Sequence, residues 1–159
     1  MEFMPYSTEY VFSSFLEIGG QMMEKPIPVD EEYQFEGRAI VSETDPKGVI
    51  TFANRKFCEI SGYSVDELVG QPHNIIRHPD MPKAAFAQMW KTLQSGTLWH
   101  GLVKNLRKDG RYYWVDTEVT PTYDENGKLK GYMAARKPAS RKNIEETAAL
   151  YAKMLEQEQ

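Results

Sequence analysis

Most of the side chains able to do chemistry fall in one short run, Gly70 to Trp90, GQPHNIIRHPDMPKAAFAQMW: His73, Asn74, Arg77, His78 and Asp80. Imidazoles accept or donate hydrogen bonds and ligate metals, a guanidinium forks onto a phosphate or a carbonyl, and a carboxamide both donates and accepts. Pro72, Pro79 and Pro82 each fix φ and disfavour helix in the residue before them. The run is therefore cut into short pieces. A polar, proline-punctuated segment between strand-like stretches reads as the wall of a pocket. His73 and Arg77 stand four apart and share a face on any helical turn. The competing role for Arg77 is a salt bridge to Asp80 that only organises the loop.

Other chemistries lack their parts. No nucleophile stands beside a base, no glycine-rich phosphate loop is present, and His73 and His78 have too few companions for a zinc site. The expectation is a protein that is not an enzyme. The single cysteine, Cys58, excludes an intramolecular disulfide and fits a reducing cytosol. A net charge of −4 without long charge runs offers no surface for nucleic acid or an anionic membrane. There is no apolar run of about 18 residues to span a bilayer. The start MEFMPYSTEY lacks a basic region followed by an apolar one. Together these predict a cytoplasmic chain with no direct membrane insertion.

The elements that must position the run are those of one small domain. The chain has 159 residues, of which 41% are hydrophobic, enough for a core and one domain. Ser7 or Thr8 is expected to cap a short helix carrying Val11, Phe12, Phe15 and Leu16, ended by Gly19-Gly20. Lys25 to Asp30, with Pro26 and Pro28, reads as an extended linker, and residues 1–38 form the N-terminal appendage. Ala39 to Thr44 and Val49 to Ala53 read as a hairpin around the type I turn Asp45-Pro46-Lys47-Gly48. Asn54 opens a helix through Ile60, stopped at Gly62, and Ser64 with Glu67 forms a capping box. Pro82 to Gln94 is predicted helical, with Phe86, Met89, Trp90 and Leu93 on one stripe.

Three strands follow, Trp99 to Lys108, Arg111 to Tyr123 and Lys128 to Arg136, turning at Asp109-Gly110 and Asn126-Gly127. Period two places Trp99, Gly101, Val103 and Asn105 on one face, and Val115, Thr117 and Val119 on the next strand's. On the last strand Leu129, Gly131, Met133 and Ala135 are taken as the inward set. Small inward residues leave room for a cavity. Ser140 caps a final helix, residues 138–159, whose Ile144, Ala148, Tyr151 and Leu155 form either a coiled-coil-like seam or a face docked on the sheet. The outer sheet face, with Asp116, Glu118, Trp114, Tyr112 and Tyr132, suits a protein partner or dimer mate, or lies under the N-terminal helix. The fold class is α+β, a five-stranded antiparallel sheet with short helices on one face plus N-terminal and C-terminal helices.

The hairpin and Asn54 helix, SGYSVDELVGQ (Ser61 to Gln71) and the meander with its KDG turn (Lys108 to Gly110) resemble a PAS domain over about residues 39–137. Within it, HNIIRHPDMPKAAFAQMW followed by WHGLVKN is similar to the aerotaxis-receptor branch of PAS sensors. That resemblance implies non-covalent FAD and a role as a redox or energy sensor. It further implies a membrane-bound chemotaxis receptor or signalling domain as partner; a second copy of the chain is the other partner expected, from the aromatic outer face. Because the chain stops after one helix, it looks like the separate cytosolic half of a bipartite energy-taxis system, at the membrane only through its partner.

The resemblance carries FAD dependence onto Arg77, His78 and Asp80 without separating contact from scaffolding. Trp99 and Asn105, six apart on one strand face, span about 20 Å and can bracket a flavin's long axis. An inward Asn105 can pair with a ring carbonyl and a ring N–H. Phe86 and Trp90 are core, or pocket wall if their helix faces the ring; Asn54 is a cap or a cofactor contact. With His73 and Asn74 these make up the candidate site. A light-sensing flavin adduct needs a cysteine where this chain has Gly70 to Asn74, and Cys58 lies elsewhere. A haem-binding PAS would draw an axial ligand from His73, His78 or His100, with His100 on the strand face opposite Trp99. A cofactor-free dimerisation module is the third alternative.

Overall fold

The computed structural model describes residues 15–18, 21–37 and 39–159, with side chains from Glu24 onward. Its first elements correct an expectation. β1 (Phe15–Ile18) and β2 (Gln21–Glu24) pair antiparallel, Phe15 opposite Glu24 and Ile18 opposite Gln21. The helix expected there is extended at residues 15–18, and its remainder, with Val11 and Phe12, lies outside the described residues. Gly-Gly between two apolar runs is a hairpin signal, and cross-strand pairing outweighs a helical spacing only a few residues long.

β3 (Ile40–Thr44) and β4 (Ile50–Ala53) form the expected hairpin, its turn fastened by the Asp45 carboxylate, which accepts from the N–H groups of Lys47 and Val49. Asn54 caps α1 (Arg55–Ser61), and Gly62 ends it in the left-handed conformation, φ 80°, where glycine carries no Cβ penalty. Ser64 and Glu67 close a reciprocal capping box on α2 (Val65–Leu68). A 3-10 turn at His73–Ile76 and α3 (Lys83–Gln94) complete the helical middle. Then come β5 (Trp99–Leu106), β6 (Tyr112–Tyr123), β7 (Leu129–Pro138) and α4 (Arg141–Gln157).

The five-stranded sheet runs β4-β3-β7-β6-β5, antiparallel throughout. The helical middle crosses from one sheet edge to the other over the inner face. Ile40, Phe57, Ile60, Leu68, Ile76 and Val115 are almost completely buried there. The expected linker is tied down: Val29 donates to the Gly110 carbonyl, Tyr33 donates to the Tyr112 carbonyl, and the Tyr112 N–H donates to the Glu31 carbonyl. Among the described residues no helix is long and apolar enough to cross a membrane.

The outer face is occupied by the chain's own last helix. Trp114 is buried against the Tyr151 ring, centroids 6.3 Å apart, and the Tyr151 hydroxyl donates to the Leu102 carbonyl at 2.7 Å. Ile144 is also buried, whereas Ala148 is exposed. This is the docked reading of α4, and it corrects the exposed aromatic patch: Trp114 lies under α4 and Tyr132 faces inward.

Candidate functional site

The face of β7 is the second correction. Val119 pairs with Ala134 and Thr117 with Arg136, so Tyr132, Ala134 and Arg136 share the inner face with Val115, Thr117 and Val119. Met133, expected inward, is 37% exposed. A register shift at Thr122/Tyr123 sets this parity, and strand parity moves a whole set of side chains at once. Gly131 sits where a Cβ would collide with the Thr44 carbonyl, so β3 and β7 approach closely at that point.

Between this face, the 3-10 turn and α3 lies a cavity of about 60 Å³. His73, Asn74, Arg77, Phe86, Trp90, Trp99 and Asn105 all line it. Seven of the ten sequence-derived site residues are thus gathered by tertiary structure around one space. The Trp99 indole lies against Gly101, where an added Cβ would come within 2.5 Å of the ring; the missing side chain lets the indole lie along its own strand. Trp90 meets the inward Tyr132 edge to face at 5.2 Å.

Three of the ten stand elsewhere. Asn54 is spent on structure: its side-chain oxygen accepts from Phe57 and Val41 N–H groups, and its amide donates to the Ala39 carbonyl. His78 is buried behind the cavity wall, edge-on to Tyr112, its Nδ1 accepting from the Asp80 N–H. Asp80 faces outward and pairs with Lys104 at 2.8 Å. Burial, then the Lys104 ammonium, lower the His78 pKa, while Lys104 holds the Asp80 carboxyl below its ordinary value. Arg77 is not helical with His73. It follows the 3-10 turn in extended conformation and bridges to Asn105 through the backbone. Its guanidinium lies 4.2 Å from the Phe86 ring centroid, which ties the loop to α3.

The residue that sequence reasoning missed is Arg136. It is a buried guanidinium on the cavity wall, donating to Ser42 Oγ at 3.0 Å and to His73 Nε2 at 2.7 Å, with Phe57 beneath it. Accepting at Nε2 puts the His73 proton on Nδ1. Burial, then the Arg136 charge, bring the His73 pKa down to about 3, so the ring is neutral near pH 7. The signal was present: Arg136 has the same parity as Tyr132 and Ala134 on one strand, so it reads inward once their face is known.

The cavity also holds polar atoms that want partners. Both amide atoms of Asn74, and Thr44 Oγ1, are buried without a hydrogen-bond partner among the described residues. Such atoms cost about 1–3 kcal/mol each when unmet, and they mark where a polar ligand edge gains most. The donor set fits a flavin: apolar and aromatic walls for a flat ring, two carboxamides and a guanidinium for its edge. At about 60 Å³ the space is far below a ligand pocket's usual few hundred. Its walls include the side chains of Phe86, Met89 and Trp99. Among the described residues no group of three metal-ligating side chains occurs.

A family model described as PAS fold matches residues 50–136. The aerotaxis receptor of Escherichia coli (strain K12) is 51% identical over 112 residues, 70% of this chain and 22% of the receptor. The nitrogen fixation regulatory protein of Klebsiella pneumoniae is 34% identical over 100 residues, 63% of this chain and 20% of that protein. The chain thus matches about a fifth of the length of these relatives. A crystal structure of a PAS domain from Colwellia psychrerythraea superposes with a TM-score of 0.59 at 25% identity, covering 65% of this chain and 87% of that one.

Proposed function

The chain belongs to the PAS fold family, and from that premise we propose that it is a FAD-binding redox or energy sensor which signals to a chemotaxis-type receptor. The observation that carries the reading is the gathering of His73, Asn74, Arg77, Trp99, Asn105 and Arg136 around one cavity, with the Asn74 carboxamide buried and unmet among the described residues. The likeness to an aerotaxis receptor supports the partner class. In this reading the protein senses rather than catalyses, stays in the cytoplasm, and reaches the membrane through its partner.

Bound in the cavity, FAD supplies a ring whose reduction alters the charge and the donor and acceptor pattern at its edge. The chain's own residues do the rest. Neutral His73 and Ser42 hold the Arg136 guanidinium in place, so a fixed positive charge favours added negative charge in the cavity. Asn74 and Asn105 offer amides that can exchange donor for acceptor roles by turning over. Trp90 and Phe86 transmit any shift of the wall to α3. A signal of this kind needs contacts that differ between the two redox states, since only those bias a two-state equilibrium.

A visible spectrum of the purified chain tests the reading. Flavin bands that bleach with dithionite are expected, with FAD released on heating. A sharp Soret band would mean haem, and a colourless chain that takes up no added FAD would end the proposal. Arg77→Ala is expected to weaken FAD retention; unchanged binding and signalling would remove Arg77 from the site.

A further inference from the structure

The walls of the inner cavity are not all held alike. Arg77 is tied by its backbone bridge to Asn105 and by the Phe86 ring, Arg136 by Ser42 and His73, and Trp90 by its contact with Tyr132. Among the described residues the Trp99 side chain has neither a hydrogen bond nor a ring partner. On its other side lies open space. A groove of about 460 Å³ is bordered by α3, the edge strand β5 and α4, and both Trp99 and Gly101 line it. Gly101 is also where the end of the indole rests, since an added Cβ would stand 2.5 Å from its Cζ2 and 2.6 Å from its Cη2. The ring in the wall of the inner cavity therefore abuts a residue of the groove, with no side chain between them. Gln88 and Thr92 of α3 form one bank, Leu150 and Met154 of α4 the other. Leu98 and Leu150, 44% and 55% exposed, stand where the groove meets solvent.

We propose that the Trp99 side chain is a gate, which turns out of the inner cavity into this groove and opens the way by which a flavin ring enters and leaves. The inference rests on the flavin reading above and deepens it by naming the route. At about 60 Å³ the inner cavity is well short of the roughly 300 Å³ or more that a ligand pocket offers, so a wall has to move. A side chain moves most readily where it breaks no hydrogen bond or ring contact and where empty space receives it, which a packed interior seldom provides. Of the wall residues compared above, Trp99 meets both conditions. Gly101 helps by presenting no Cβ for the indole to pass. A gate of this kind sets rates rather than affinity, because opening and reclosing quicken or slow entry and exit together.

Stopped-flow mixing of the whole chain with riboflavin and with FAD reads entry and exit in wild type, Gln88→Trp and Gly101→Ala. Gln88 is exposed on α3, and a tryptophan there fills the groove. It is expected to slow both rates by about fivefold or more and to leave their ratio, the affinity, little changed. Gly101→Ala sets a Cβ against the indole and is expected to quicken both rates by a similar factor. Rates unchanged in both variants, or affinity changes carried by exit alone, overturn the gate and leave the flavin reading in place. A chain that takes up neither flavin ends the flavin reading, and the gate is then decided on the ligand-free protein. There, NMR relaxation dispersion should show the Trp99 indole N–H exchanging between two positions on the microsecond-to-millisecond timescale, unlike that of Trp90, and stilled by Gln88→Trp. No exchange at Trp99 in that chain overturns the gate as well.

Discussion

The two faces of the sheet are built from the same strands and finished in opposite ways. Outside, Trp114 packs on Tyr151 and the one hydroxyl in the contact is satisfied by Leu102. Inside, Trp99 lies beside a small cavity, Arg136 is braced by His73 and Ser42, and Asn74 has both amide atoms unmet among the described residues. One face is closed by packing and the other kept polar and underfilled. Protein interiors close most such spaces, so the contrast sets a wall closed by packing against the one that the proposed function assigns to a ligand.

The widest break in that contrast should come from the outer aromatic. Trp114→Ala removes a buried ring and the seat of α4, and is expected to cost about 3–5 kcal/mol, measured by denaturant unfolding, with flavin affinity per folded molecule little changed. A large loss of flavin affinity would mean the two faces are not separate. On the inner face, Arg136→Met should lower FAD affinity about tenfold or more, because a charge-assisted donor is lost. Titration of flavin fluorescence checks this, and an unchanged affinity would take Arg136 out of the site.

Acid should find the inner face first. The folded pKa of His73, about 3, lies below its ordinary 6.5, so below pH 6.5 the unfolded chain takes up the proton that the folded chain refuses. The stability His73 contributes is whole above about pH 6.5 and is lost as pH falls toward 3, at no more than about 1.4 kcal/mol per pH unit. His78 is shifted the same way and adds to the same window. Unfolding midpoints of His73→Gln should depend less steeply on pH there; an equally steep dependence would mean the ring is not held neutral. The smallest effect sharpens the contrast most. Asn74→Leu replaces an unmet buried amide with an apolar group and should raise ligand-free stability by about 1 kcal/mol, while FAD affinity falls. Stability and affinity both falling would show the amide is paired in solution.

The sequence itself carried the five strands and their order along the chain, both capping signals around α1 and α2, the helix carrying Trp90, and seven of the residues that meet at the cavity. These follow from local rules: turn residues with fixed φ, caps that meet orphan N–H groups, and period-two faces. Other features needed distant partners. Asn54 became a cap that also ties to β3, His78 and Asp80 turned behind the wall toward Tyr112 and Lys104, and residues 15–18 paired as a strand. Arg136 entered the site only through the register of β6 against β7. A side chain's type and spacing say what chemistry it can do. Which way it faces depends on strand register and on neighbours brought close by the fold, and that is why only the tertiary structure could turn a polar run into one wall of a cavity.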